Sequence, residues 1–297
     1  MPIQHTDPDM AVFTAGQTRG IAGFAARDIL CASDALGWTR LHVSHQRELP
    51  FSGWFAESAD HLFVLHRQGT ALVDLSCGPT RLSGAVGPGA MSVLPGGVKI
   101  RLRLHGPLET VHLSLRGGGA PSADNGARPT PTPTPAPALG QANPALFQLT
   151  DIAADMMYVG CGDGLAGSVA RMLSAELADM PHRHPAARFT ARQFHDVYRF
   201  IRQHLDQPLR LEDLALVACT STVHFARRFR EATGWSPHQF LIGLRLAVAR
   251  GLLRGADPIA QIAAQCGFSH QEHMTRLFRQ WLGITPAAWR RRIACAG

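Results

Sequence analysis

Two short segments carry an arginine at the same place in the same pattern: Phe225-Ala-Arg227-Arg-Phe229 and, 49 residues later, Met274-Thr-Arg276-Leu-Phe278. Large apolar residues four apart share one face of a helix, so Phe225 with Phe229, and Met274 with Phe278, should point inward. That leaves Val223, Ala226, Arg227 and Arg230 outward in the first segment and Glu272, His273, Thr275 and Arg276 outward in the second. A guanidinium presented in this way can hold a phosphate or fork onto the acceptor edge of guanine.

The elements that would position these arginines also repeat. Gly234 and Pro237 recur as Gly283 and Pro286, Phe240 as Trp289, and Leu214-Ala215 as Ile262-Ala263 at an offset of 48, one residue less. The same supersecondary unit is therefore expected twice, each a short helix, a tight turn and a second helix. Gly267 suits the turn of the second unit, whereas the first has Ala218-Cys219-Thr220 and a mildly strained turn is expected there. Pro237 to Arg254 reads as one long helix with Phe240, Leu244, Val248 and Gly251 on one stripe. It would hold two recognition helices rigidly, as successive major grooves roughly 34 Å apart require.

Helix starts are well marked in this region. Thr190 with Gln193 and Ser236 with Gln239 are capping boxes, and Asp257-Pro258 and Thr285-Pro286 each offer a cap followed by proline at the first helical position. Charge follows the same division. From His182 to Gly297 there are 17 arginines and 7 acids, while Met1 to Pro181 has 12 basic and 15 acidic groups. A basic last third suits phosphate neutralisation with counterion release.

Earlier in the chain, apolar runs at Leu62 to Leu65, Ala71 to Leu75, Met91 to Leu94 and Val111 to Leu115 are broken by glycine and proline, the pattern of a small β barrel or sandwich. Gly117 to Pro144 is of low complexity and reads as linker or insertion. Asp163 to Met180 is an amphipathic helix whose stripe of Leu165, Val169, Met172, Leu173 and Leu177 suits either the chain's own core or a dimer seam. The expected division is a β domain at 1–116, a linker at 117–144, a helical connector or dimerisation region at 145–189 and an all-helical domain at 190–297. Six dispersed cysteines form no C-x-x-C pair, and no secretory leader or stretch of eighteen apolar residues is seen, so a cytoplasmic protein with reduced thiols is expected.

From Tyr198 to Arg290 the residues resemble the AraC/XylS family of bacterial transcription regulators. The likeness runs through Leu211 to Ala215, Ser221 to Phe229, Thr233 to Pro237, Arg245-Leu246, Ile262 to Ser269, Arg276 to Arg279, Gly283 to Pro286 and Trp289-Arg290. It implies a DNA-binding activator or repressor acting as a homodimer on double-stranded DNA, with RNA polymerase as partner of an activator. Base contacts would fall on Thr222, Val223, Ala226 and Arg227 in the first unit and on Gln271, Glu272, His273, Thr275 and Arg276 in the second. Two positions depart from the pattern: Cys219 where glycine is usual, and Arg210 where a serine-type cap is usual. Trp38 to Arg116 is similar to the cupin-like effector domains of that family, through His61 to Gly69, Gly87 to Gly97 and Glu109 to Leu113. This implies a small-molecule effector in the barrel, with no lining residues identified and no cofactor.

Two rivals stand beside this reading. A cupin-type metal enzyme would need grouped ligands, yet His42, His45, His61, His66, His105 and His112 include no H-x-H pair followed by glutamate, and His182-Arg-His184 lies among prolines. A thiol-based redox regulator would use Cys31 or Cys77, provided that one is exposed with a lowered pKa.

Overall fold

A computed structural model describes residues 11–19, 27–117, 134–141, 143–179 and 189–294 of the chain. Cys295, His182-Arg-His184 and most of the low-complexity stretch lie outside the described residues.

The described β region has strands β1 (Arg27–Ala32), β2 (Leu41–Glu48), β3 (Phe51–Phe55), β4 (His61–Gln68), β5 (Ala71–Cys77), β6 (Thr80–Val86), β7 (Met91–Leu94), β8 (Ile100–Leu104), β9 (Leu108–Leu115) and β10 (Ala138–Gln141). The four apolar runs fall in β4, β5, β7 and β9. Of the barrel or sandwich expected, the described residues form two antiparallel sheets, ordered β1-β2-β9-β4-β7-β10 and β3-β8-β5-β6, and the sheets do not close into a barrel.

Helices follow: α1 (Pro144–Val159), α2 (Asp163–Asp179), α3 (Ala191–Gln203), α4 (Leu211–Val217), α5 (Thr222–Thr233), α6 (Pro237–Leu252), α7 (Ile259–Gln265), α8 (Gln271–Leu282) and α9 (Pro286–Ala294). Asn143 caps α1 by accepting from the Leu146 N–H at 3.1 Å, with Pro144 at the first position. The predicted caps form at Thr190 (3.1 Å to the Gln193 N–H), Ser236 (3.2 Å to the Gln239 N–H) and Thr285 (3.2 Å to the Ala288 N–H). The cap expected at Asp257 does not form. Pro258 is itself the N-cap of α7, and the Asp257 carbonyl accepts from Arg290 Nη2 at 2.6 Å instead.

One face of the six-stranded sheet presents Leu41, Val43, Phe63, Leu65, Val111 and Leu113 to Leu146, Leu149 and Ile152 of α1. The same core continues through Phe194 of α3 to Phe225 and Phe229 of α5 and Phe240 of α6. Leu165, Val169, Met172, Leu173 and Leu177 of α2 are buried in it, so that stripe is used within the chain. A separate core forms around Ile262, Met274 and Phe278, walled by Ile242, Leu246 and Ala249 of α6. α6 thus packs on two sides, where its sequence suggested one stripe.

Candidate nucleic-acid interface

The two predicted units fold alike down to their turn hydrogen bonds. After α4, Thr220 N–H donates to the Ala215 carbonyl (3.0 Å) and Cys219 N–H to Leu216 (2.9 Å). After α7, Phe268 N–H donates to Ala263 (2.9 Å) and Gly267 N–H to Ala264 (2.9 Å), the same pairs 48 positions on. Ala215 and Ala263 are buried where the helices meet. Cys219 sits at φ +52° and Gly267 at φ +72°, so the first unit holds an L side chain in the left-handed region that the second gives to glycine. Strain was expected in the first turn from the missing glycine, and the backbone places it at Cys219. In the other departure, Arg210 supplies no side-chain cap, but its N–H donates to Asp213 Oδ2 at 2.8 Å, which secures the start of α4 from the other side.

Phe225 and Phe229, like Met274 and Phe278, are fully buried. These anchors fix what the opposite faces of α5 and α8 present. On α5, Val223 is 78% exposed, Arg227 and Arg230 are exposed, and Thr222 and Ala226 are half-buried. Arg227 Nε lies 3.9 Å from Glu231 Oε1, an exposed pair one turn apart that holds the guanidinium only weakly. On α8, Gln271, Glu272 and Arg276 are exposed, while His273 and Thr275 are half-buried. Among the described residues no acid pairs with Arg276. The α8 face is concave, lined by Gln271, Glu272, Thr275 and Arg276 together with Arg279 and Thr285. Arg279, one turn beyond Arg276, was not singled out from sequence, although its spacing of three places it on the same face.

His273 Nδ1 lies 3.1 Å from Ser269 Oγ. Partial burial, and then the nearby Arg276 and His270, lower its pKa, so the ring is neutral at pH 7 and offers one donor and one acceptor rather than a charge. The two faces therefore differ chemically. The first combines an apolar tip with arginines, suited to thymine methyls, guanine and phosphates; the second is a mixed polar surface able to use several base edges.

The first unit is tied to the rest of the chain. At the end of α5 the Thr233 carbonyl accepts from Ser168 Oγ (3.0 Å) and from Arg171 Nε and Nη2 (3.2 and 2.8 Å) of α2, and Trp235 Nε1 donates to the Gly164 carbonyl at 2.9 Å. The start of α2 is held in turn by the β region, where the Thr39 N–H donates to Asp163 Oδ1 at 2.7 Å and Trp38 Nε1 to the Cys161 carbonyl at 2.8 Å. Trp235 stacks on Trp281 of α8 at 5.4 Å between ring centroids, joining the two units. Inside α6, Arg245 is buried and donates through Nε to the Leu205 carbonyl at 3.1 Å.

The residues weighed for other chemistry are placed differently. Among the described residues no group of three His, Cys, Asp or Glu is arranged to hold a metal ion. Burial raises the thiol pKa of Cys31 and Cys77, the reverse of what a sensor thiolate needs. No helix among the described residues is long and apolar enough to cross a membrane.

Residues 214–292 match the helix-turn-helix domain family. Over 98 residues the chain is 32% identical to the MmsAB operon regulatory protein of Pseudomonas aeruginosa, covering 33% of this chain and 32% of that one. Over 97 residues it is 37% identical to the right origin-binding protein of Escherichia coli, covering 32% and 34%. The chain spans about a third of the length of the curated relatives it matches. Among solved structures, it is 36% identical to the DNA-binding domain of AdpA, a global transcriptional factor crystallised with a target DNA, over 34% of this chain and 91% of that chain (TM-score 0.33). It is 29% identical to a transcriptional regulator from Chromobacterium violaceum described as having an AraC-type DNA-binding domain, over 36% and 96% (TM-score 0.34).

Proposed function

We propose that this chain, whose carboxy-terminal third is an AraC-type DNA-binding domain, is a transcription regulator that reads double-stranded DNA with α5 and α8 and is controlled by a small molecule in its β region. The single observation that carries the DNA reading is the pair of turns with matching hydrogen bonds that present Arg227 and Arg276 from equivalent exposed positions on two helices, both packed on α6. Thr222, Val223, Ala226, Arg227 and Arg230 form the first contact surface. Gln271, Glu272, His273, Thr275 and Arg276 form the second, extended by Arg279.

Control follows from the packing. The β region pairs two antiparallel sheets, which supports a cupin-like reading, and α1 lies on the outer face of the six-stranded sheet while sharing a core with the first unit. A ligand that favours one spacing of the sheets shifts the balance between arrangements of α1, α2 and α5, and so changes operator affinity through the difference in binding energy. Homodimerisation would double the number of DNA contacts, and an activator would also touch RNA polymerase.

The test is selection of bound genomic fragments by the purified chain, followed by fluorescence anisotropy on the recovered site across a salt series. A bipartite site with half-contacts about one helical turn apart, and a log–log salt slope of about −0.9 per neutralised phosphate, is the expected result. Absence of DNA binding at low salt overturns the proposal.

A further inference from the structure

The inner face of the six-stranded sheet carries a row of polar side chains where a sandwich interior is ordinarily apolar. Glu48 of β2, Thr110 and His112 of β9, His66 of β4 and Ser92 of β7 lie on the same side of neighbouring strands. The register sets Val64 opposite both His112 and Ser92, and His66 opposite Thr110. All five are buried. Groups of this kind cost stability unless they are hydrogen-bonded, and several of them are. Gln46 Nε2 donates to Glu48 Oε1 at 2.9 Å, while His112 Nε2, 3.1 Å from the same oxygen, makes no hydrogen bond of good geometry among the described residues, nor does Thr110 Oγ1.

Ser92 Oγ accepts from the Gly140 N–H at 3.2 Å and lies 3.0 Å from His66 Nε2. The Ser92 hydroxyl keeps its proton and a second lone pair, so it pairs with Nε2 in either ring tautomer and leaves Nδ1 as a donor or an acceptor. That buried Nδ1 has no hydrogen-bond partner among the described residues. His66 and Ser92 line a cavity of about 40 Å³ whose other walls include Phe51, Phe55, Leu75 and Ile100.

We propose that this cavity binds a small uncharged amphipathic molecule, an alcohol, whose hydroxyl pairs with His66 Nδ1 while its apolar body lies against Phe51 and Phe55. The proposal names the effector class for the control read above and rests on that reading. Charge decides against ionic ligands. No arginine or lysine lines the cavity among the described residues, Glu48 is part of its wall, and a carboxylate would be desolvated next to another carboxylate. Burial, and then the neighbouring His112, push the His66 pKa down to about 4, so the ring supplies no counter-ion at neutral pH. An ammonium would compete with His112 and Gln46 for Glu48. The cavity is smaller than the roughly 150 Å³ that accepts benzene, so admitting a ring must part the sheets. The far face of the moving sheet is the one that bears α1.

The experiment is calorimetry and saturation-transfer NMR on the full chain at pH 7 with four probes: benzyl alcohol, toluene, benzoate and benzylamine. Benzyl alcohol is expected to bind at least tenfold more tightly than each of the other three. His66→Leu should abolish its advantage over toluene while toluene still binds; Ser92→Ala should reduce that advantage by releasing the ring from its partner at Nε2. If His66→Leu also loses toluene, the cavity is disrupted and Ser92→Ala decides. Benzoate binding as tightly as the alcohol, or an advantage that survives the deciding variant, overturns the ligand class. Binding of none of the four overturns both the class and the effector site. If the alcohol binds but no DNA does, the regulator reading falls and the ligand class stands.

Discussion

In the first helix-turn-helix unit the turn residue at positive φ is Cys219, the exposed face of α5 is led by Val223, and Phe225 and Phe229 sit in a core that runs on to the six-stranded sheet. In the second the turn residue is Gly267, the exposed face of α8 is polar, and Met274 and Phe278 occupy a core walled by α6. One plan is thus anchored in two ways. The first unit can feel what happens between the sheets, and the second meets that body through α6, the Trp235–Trp281 stack and the close approach of Gly267 to Leu205.

The strongest way to break this comparison is to empty each core. Phe229→Ala and Phe278→Ala should each cost about 3–5 kcal/mol. Phe229→Ala should lower the unfolding midpoint of the whole chain, whereas Phe278→Ala should split off an early transition confined to the second unit, read by circular dichroism and amide exchange. Two identical single transitions would contradict the separation of cores.

Acid gives the next largest effect. The His66 pKa is about 4 in the folded chain against an ordinary 6.5, so the unfolded chain takes up the proton first. Its contribution is full above pH 6.5 and is lost as the pH falls towards 4, on the order of 3 kcal/mol. His42 and His61 are lowered by burial in the same direction. Urea unfolding between pH 7 and 4 should therefore weaken the β region and the first unit together, and His66→Leu should flatten the dependence.

At the DNA, Arg276→Ala and Arg227→Ala should each cost about 1–3 kcal/mol at a cognate site if they read guanine, with preference relaxed at one base pair. A loss uniform across sequences would make either one a phosphate contact. The smallest effect is expected at the strained turn. Cys219→Gly should stabilise the first unit by about 0.5–1 kcal/mol in thermal unfolding, while Gly267→Ala should destabilise the second, since a Cβ there would collide with the Leu205 carbonyl and the Arg245 guanidinium.

The repeat, the caps and the inward aromatic pairs were legible because each is a local pattern that helix geometry imposes. The start of α7 was misplaced by one residue, since the Asp257 carbonyl answers to Arg290, 33 positions away. The buried polar row escaped for a different reason. Alternation along β2 and β9 looks like one buried and one solvated face, but α1 covers one side of this sheet and the second sheet covers the other. His66 on β4 and His112 on β9, weighed from the sequence only as possible metal ligands, are interior residues. Nor could spacing reveal that the arginine-rich third shares a core with the acidic part of the chain, because that continuity depends on α1 and α2 bridging them.

α6 runs for 16 residues, about 24 Å, with side chains committed on both flanks. It acts as a gauge block. Lengthening it by one residue would turn one flank through about 100° and spoil both cores, so its length is not free to drift. The DNA it measures inherits the same restriction. One base pair inserted between the two half-contacts rotates one of them by roughly 34–36° out of phase. Sites for this chain should accordingly tolerate changes in base composition far better than changes in the gap.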